Sequence, residues 1–205
     1  MQHLNLRTLF KFNRLRLSLE QREFLDRSGG GDWSFNTSTG LVDVNGGFYC
    51  SCRGISNLRG IRFGSVRDSF DCSYNNLKSL EGAPHDVGGS FYCTGNSLES
   101  LAGAPETVGG SFLCDEFEIP PGEWNPDGWL KVIESGSDKG RKLVLPLVSV
   151  CVLNRMISVD PASVMLKLKP VWSDPEFSGI RSRLIWPNGY EKEADLVGDL
   201  GNVGY

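Results

Sequence analysis

The chain has 205 residues, 40% hydrophobic and 22% charged, enough for a packed core and ordinary for a globular protein. Its formal net charge of −4 argues against bulk nucleic-acid binding, which draws on an excess of Lys and Arg. No apolar run reaches about 18 residues and the start has no secretory pattern, so a cytoplasmic protein without membrane association is expected.

The first segment, MQHLNLRTLFKFNRLRLSLEQ, is basic and partly apolar, with arginines interrupting each apolar stretch. A helix is predicted from Ser18 to about Arg27. Ser18 caps it, Gln21 stands three residues on, and Gly29-Gly30-Gly31 ends it. Asp32-Trp33-Ser34-Phe35 and Leu41-Val42-Asp43-Val44 read as short strands. Residues 1–40 are thus expected to form an N-terminal helix and capping strand.

The next stretch is repetitive. Phe70–Ser90 reads FDCSYNNLKSLEGAPHDVGGS and Phe91–Ser111 reads FYCTGNSLESLAGAPETVGGS, identical at 13 of 21 positions. Phe48-Tyr49-Cys50, Phe70-Asp71-Cys72, Phe91-Tyr92-Cys93 and Phe112-Leu113-Cys114 open successive units, spaced 22, 21 and 21 residues. Such a period points to a solenoid, in which each unit buries its apolar side chains against its neighbours. Phe and Cys two apart fit a short strand with one face inward. Asn75 and Asn96 are placed to bond backbone groups of their own and the neighbouring coil, and Leu77, Leu80, Leu98 and Leu101 continue the core. Gly-Ala-Pro and Val-Gly-Gly-Ser read as the turns that close each unit.

The frame L-x-x-L-x-L-x-x-N-x-L is matched by Gly88-x-x-Phe91-x-Cys93-x-x-Asn96-x-Leu98. Across Leu41–Ile119 the chain therefore resembles a leucine-rich repeat of the short bacterial class, and its wording is also similar to repeat proteins of bacteria and their phages. The four unit openings imply about four coils, and the resemblance implies a protein partner of bacterial origin and a host-directed or anti-defence inhibitor as the setting. Arg53 and Phe117 depart from the frame at the asparagine position, so the first and last coils are expected to be irregular or capping.

Alternation along the strands sends the residues between Phe and Cys outward. Tyr49, Asp71, Tyr92 and Leu113 make the central outward row, and Ser51, Ser73, Thr94 and Asp115 the next. Gly47, Ser69, Ser90 and Ser111 make the preceding row. These rows are the expected protein-binding face, plain solvation being the alternative.

After Ile119 the repeats stop, and Pro120-Pro121-Gly122 and Asn125-Pro126-Asp127 mark a boundary. Helical segments are predicted at Trp129–Glu134, Asp138–Met156, Asp160–Trp172 and Asp174–Ile185, with Asp160-Pro161 and Asp174-Pro175 as capped starts. Val144–Leu153 is apolar on every side and reads equally as buried helix or strand. The fold class is α+β: a leucine-rich-repeat-like solenoid over 41–119, and a helical C-terminal subdomain over 120–205 with an acidic tail.

Little in the sequence supports catalysis. Cys50, Cys72, Cys93 and Cys114 recur at one core position, where a free cysteine acts as a small hydrophobe; neither metal nor cofactor is expected. Cys151 sits in an apolar run with no His or carboxylate beside it, so a buried structural role is expected over that of a ubiquitin-ligase nucleophile. His85 occupies a turn position that holds Glu106 one unit later. Arg53, Arg59, Arg62 and Arg67 fall together without an intervening acid before Arg67 and offer a site for an anionic small molecule or nucleotide. Pairing with acids elsewhere, or solvation, are the alternatives. A non-enzymatic protein-interaction module is the first reading, and a sponge for an anionic signal the second.

Overall fold

The computed structural model describes residues 16–29 and 32–187. The basic start and the acidic tail, with the short final helix considered for it, lie outside those residues. The fold is α+β, with a β-solenoid of about three turns and six α-helices among the described residues. The chain divides after Trp124 into two compact units, five residues beyond the end of the repeats.

The first unit opens with α1 (Leu19–Ser28). Ser18 and Gln21 form the expected capping box: the Gln21 amide donates to Ser18 Oγ at 3.2 Å, and the Ser18 amide donates to Gln21 Oε1 at 2.9 Å. Strands β1 (Trp33–Asn36) and β2 (Leu41–Val44) pair antiparallel. Asn36 Oδ1 takes the Ser38 and Thr39 amides at their turn, and Gly40 supplies the left-handed residue at φ 73°.

Each turn of the solenoid then contributes to two sheets. The front sheet holds β3 (Phe48–Tyr49), β5 (Phe70–Asp71), β7 (Phe91–Tyr92) and β9 (Phe112–Leu113), parallel and in register, Phe beside Phe. The back sheet continues β1 and β2 with β4 (Phe63–Val66), β6 (Asp86–Val87) and β8 (Thr107–Val108). The sequence reading missed this second sheet, because Val-Gly-Gly-Ser looked like a turn. Val87 and Val108 point inward and are buried, and the glycines after them let adjacent coils approach. A Cβ on Gly88 or Gly109 would strike the carbonyl oxygen of Arg67 or Gly88 in the coil before.

Four phenylalanine rungs span three turns, and a fourth turn does not follow. After Cys114 the chain reverses, and β10 (Glu118–Ile119) pairs antiparallel with β9, closing the front sheet. The core is a column of stacked rings. Phe48, Phe70, Phe91 and Phe112 lie 5.4, 5.3 and 5.2 Å apart, their planes within 16° of parallel. Phe24 of α1 meets Phe48 edge-on at 5.6 Å, so the predicted N-terminal cap covers one end. Trp124 stacks on Phe112 at 3.9 Å and donates Nε1–H to the Pro105 carbonyl at 2.9 Å, covering the other. That tryptophan cap was not anticipated.

The second unit carries α2 (Pro126–Ser135), α3 (Asp138–Val144), α4 (Val150–Ile157), α5 (Pro161–Leu168) and α6 (Pro175–Arg181). Asp160 and Asp174 cap their helices as expected, accepting the Ser163 amide at 3.1 Å and the Glu176 amide at 2.8 Å. Asn125, read only as a boundary, is also a cap and accepts the Gly128 amide. The segment predicted as one helix from Asp138 to Met156 is two, separated by a short 3-10 turn at Leu145–Leu147 around Pro146, with Ser149 capping the second. Val144–Leu153 is therefore helical on both sides of that break and holds no strand. Leu130, Ile133, Val144, Leu153, Ile157, Leu168 and Phe177 are fully buried.

Candidate binding face

The front sheet has an inward column of Phe and Cys and an outward face bounded by two ladders. At the strand ends, Asn75 is almost completely buried at 7% exposure. Its Oδ1 accepts the Arg53 and Ile55 amides at 3.0 and 3.1 Å, and its Nδ2 donates to the Cys50, Cys72 and Ser73 carbonyls at 2.9–3.1 Å. Asn96 repeats this one coil on, accepting from Leu77 and donating to Cys72, Cys93 and Thr94. Each asparagine thereby ties its own coil to the preceding one, as its spacing implied. In the last coil, where Phe117 replaces asparagine, Asp115 takes over part of the task. Its carboxylate accepts the Gly95 amide at 2.6 Å and the Asn96 amide at 3.4 Å.

The strand starts carry a serine ladder. Ser69 Oγ accepts the Ser90 amide at 3.0 Å, and Ser90 Oγ accepts the Ser111 amide at 3.1 Å. Gly47 is covered by the Tyr49 side chain, which occupies the space a Cβ would need. The expected outer rows thus divide. The preceding row serves the coil-to-coil bonds. In the following row Ser73 is buried at 4% exposure, contrary to the solvent-facing place expected for it, because Thr94 Oγ1 donates to its Oγ at 3.2 Å and the Asn75 side chain bonds its carbonyl. Ser51 and Thr94 are half-buried and Asp115 is exposed.

What remains open is the central row. Tyr49, Asp71, Tyr92 and Leu113 face one another across successive rungs, Tyr49 beside Asp71, Asp71 beside Tyr92, and Tyr92 beside Leu113. Tyr49 is 48% exposed, and the other three are half-buried. At about 4.8 Å per rung the row spans about 14 Å. Sequence reasoning missed its neighbour Tyr74, exposed at 66% and held at φ 54° with its amide donating to the Thr94 carbonyl at 2.7 Å. Its ring fills the space over Gly95, the residue at the same repeat position one coil on. That tyrosine-to-glycine exchange between otherwise similar units was the available signal.

The arginine group does not converge. Arg53 Nη2 donates to the Arg27 carbonyl at the end of α1 at 2.8 Å, and the Arg59 guanidinium lies 5.1 Å from the centre of the Phe24 ring. With Arg27, Glu20 and Glu23 these two line a groove of about 490 Å³, of mixed charge and without Arg62 or Arg67. Arg62 is exposed, and Arg67 reaches Asn45 Oδ1 at 3.3 Å.

Cys50, Cys72, Cys93 and Cys114 are buried free thiols, stacked as expected. Burial, reinforced by the Asp71 charge, pushes Cys50 up to about 12 from a usual value near 9.0. Burial likewise holds Cys72 and Cys93 well above that value and raises Cys114. The Cys72 and Cys93 thiols donate to the Tyr92 and Leu113 carbonyls at 3.4 and 3.3 Å. Among the described residues no group of three or more His, Cys, Asp or Glu side chains is placed to hold a metal ion. Cys151 corrects the expectation of a core position: it is exposed, because α4 buries Leu153 and Ile157 and turns its other face outward. His85 lies exposed in its turn, 3.6 Å from Glu106 one rung on. In the helical unit, Val152, Met156, Val159 and Val164 line, together with polar side chains such as Arg155 and Asp160, a groove of about 600 Å³ that periodicity did not reveal.

Comparison with protein-family models, with curated proteins and with solved structures finds no match to this chain.

Proposed function

We propose that the protein is a non-enzymatic interaction module whose solenoid binds a partner protein through Tyr49, Asp71, Tyr92 and Leu113, with Ser51, Thr94 and Tyr74 at the margin. One observation carries this reading. On a face whose other polar side chains are largely spent holding coils together, a row of two tyrosines, a leucine and a carboxylate is left available on a rigid parallel sheet. Tyrosines on a preorganised surface lose little conformational entropy on binding and make good anchors. The reduced cysteine column suits a cytoplasmic setting. The resemblance of the repeats to bacterial and phage proteins favours a bacterial partner and an inhibitory, anti-defence role.

The sponge reading draws less support, since Arg53 and Arg59 are engaged with α1 and share their groove with Glu20 and Glu23. The ligase reading rests on Cys151 alone. The test is affinity capture from bacterial lysate with the wild-type chain and Tyr92→Ala. A stoichiometric partner kept by the first and lost by the second is the expected result; a partner held equally by both refutes the face.

A further inference from the structure

Tyr74 stands where glycine is the relaxed residue. It follows the core cysteine of its coil by two positions, as Cys52 and Gly95 do in the coils on either side. Tyr74, Cys52 and Gly95 are all left-handed, at φ 54°, 56° and 66°. Glycine adopts that conformation freely and a bulky side chain does not. The next coil is nonetheless shaped to the ring: a Cβ on Gly95 would come within 2.5 Å of Tyr74 Cδ1 and 3.0 Å of Cε1. The Tyr74 amide donates to the Thr94 carbonyl at 2.7 Å, which fixes the backbone, while 66% of the residue stays exposed. A strained backbone that seats an aromatic side chain largely in solvent points to a contact outside the coil.

Two carboxylates are fixed next to that seat. Asp71 Oδ1 accepts the amide of Ser73, the residue before Tyr74, at 2.9 Å. Asp115 Oδ1 accepts the amide of Gly95, the residue the ring covers, at 2.6 Å. Glu118 of β10, paired with Leu113, adds a third acid to the same sheet face. Among the described residues no lysine or arginine forms an ion pair with any of the three. Arg53, Arg67 and Lys78 are turned instead to the Arg27 carbonyl, Asn45 Oδ1 and Glu99. A partner that covered these acids with an apolar or acidic surface would strip their hydration and replace it with nothing, whereas a basic surface supplies the missing charges.

We infer that Tyr74 is the anchor of the face, inserted into a pocket on a basic surface of the partner protein, with Asp71 and Asp115 meeting lysine or arginine side chains at the pocket rim. The inference rests on the face proposed above, places its anchor at the strand end, and names the partner's chemistry.

Tyr74→Gly separates anchoring from folding, because it introduces the residue that the next coil already uses at this position. Asp71→Asn with Asp115→Asn removes two charges, while the amide oxygens still accept the Ser73 and Gly95 amides. The protein captured from bacterial lysate by the wild-type chain is identified, purified and titrated calorimetrically against the wild type and both variants at about 50 and 300 mM salt. Tyr74→Gly should keep or raise the urea midpoint while weakening binding at least about 30-fold. Wild-type affinity should fall at least about fivefold at the higher salt, and the double variant should lose most of that dependence. A lowered urea midpoint in Tyr74→Gly makes the ring a cover for the coil and overturns the anchor, as does binding equal to wild type. Affinity indifferent to salt overturns the basic partner. The two readings fail separately. A partner lost with Tyr92→Ala but kept by Tyr74→Gly leaves the face and removes the anchor, whereas capture of no partner by the wild type refutes both.

Discussion

Replacing Asn75 with alanine tests whether the asparagine ladder or the phenylalanine column holds the coils in register. The side chain makes five bonds, but its loss does not orphan five groups. The Cys72 carbonyl keeps Asn96 Nδ2 at 3.0 Å, and the Ser73 carbonyl keeps the Cys52 amide at 3.1 Å. The Ile55 amide and the Cys50 carbonyl are left unpaired in buried surroundings, and the Arg53 amide nearer to solvent. At roughly 1–3 kcal/mol for each buried unpaired group, with water recovering part of the third, the expected loss is about 4 kcal/mol. Against a total stability of about 5–15 kcal/mol this leaves a folded but weakened solenoid. Native-state hydrogen exchange at the Phe70 and Phe91 amides, which donate to Ser90 and Ser111 across the coils, reads the solenoid by itself. Those amides should exchange about 10³-fold faster in Asn75→Ala. Asn96→Ala, whose side chain is less buried and which orphans the Leu77 amide and the Cys93 carbonyl, should cost about half as much. Less than about 1 kcal/mol for Asn75→Ala, or a larger effect from Asn96, would refute the reasoning.

Trp124→Ala uncovers Phe112 and frees the Pro105 carbonyl, and should lower stability by about 3–5 kcal/mol in urea denaturation. An unchanged midpoint would remove Trp124 as the cap. In the native chain at neutral pH, Cys52 and Cys151 should react with a thiol reagent promptly, while Cys50, Cys72, Cys93 and Cys114 react only on unfolding. Mass spectrometry of the labelled protein would show rapid modification at any of those four if the column were accessible. The same thiols set an alkaline limit. Folded Cys50 keeps its proton to about pH 12, whereas an unfolded cysteine releases its own near 9.0. The folded state thus binds more protons, so the stabilisation is full below pH 9.0 and is lost as pH rises toward 12. Replacing Cys50 with alanine should flatten that loss, as measured by urea midpoints between pH 8 and 10, on the order of one unit either side of the usual thiol value.

The repeat period by itself determined the solenoid, the inward Phe and Cys columns and the asparagine ladder. Identical residues at one spacing have only one way to bury themselves together, against their own copies. Helix starts were equally legible, since Ser18, Asp160 and Asp174 act on amides two or three residues away. What depends on the next coil was hidden. Asp86-Val87 and Thr107-Val108 are strands because the chain before them offers a matching edge, and two residues of local sequence cannot report that. Three turns instead of four coils follows from the reversal that pairs Glu118 with Leu113. The site divides along the same line. Alternation placed Tyr49, Asp71, Tyr92 and Leu113 outward, but whether an outward side chain stays available depends on its neighbours one rung away. Those neighbours buried Ser73, engaged Ser69, Ser90 and Asp115, and left the Asp71 carboxylate with no ion-pair partner among the described residues. Local pattern sets which way a residue points; the adjacent coil decides what it has left to offer.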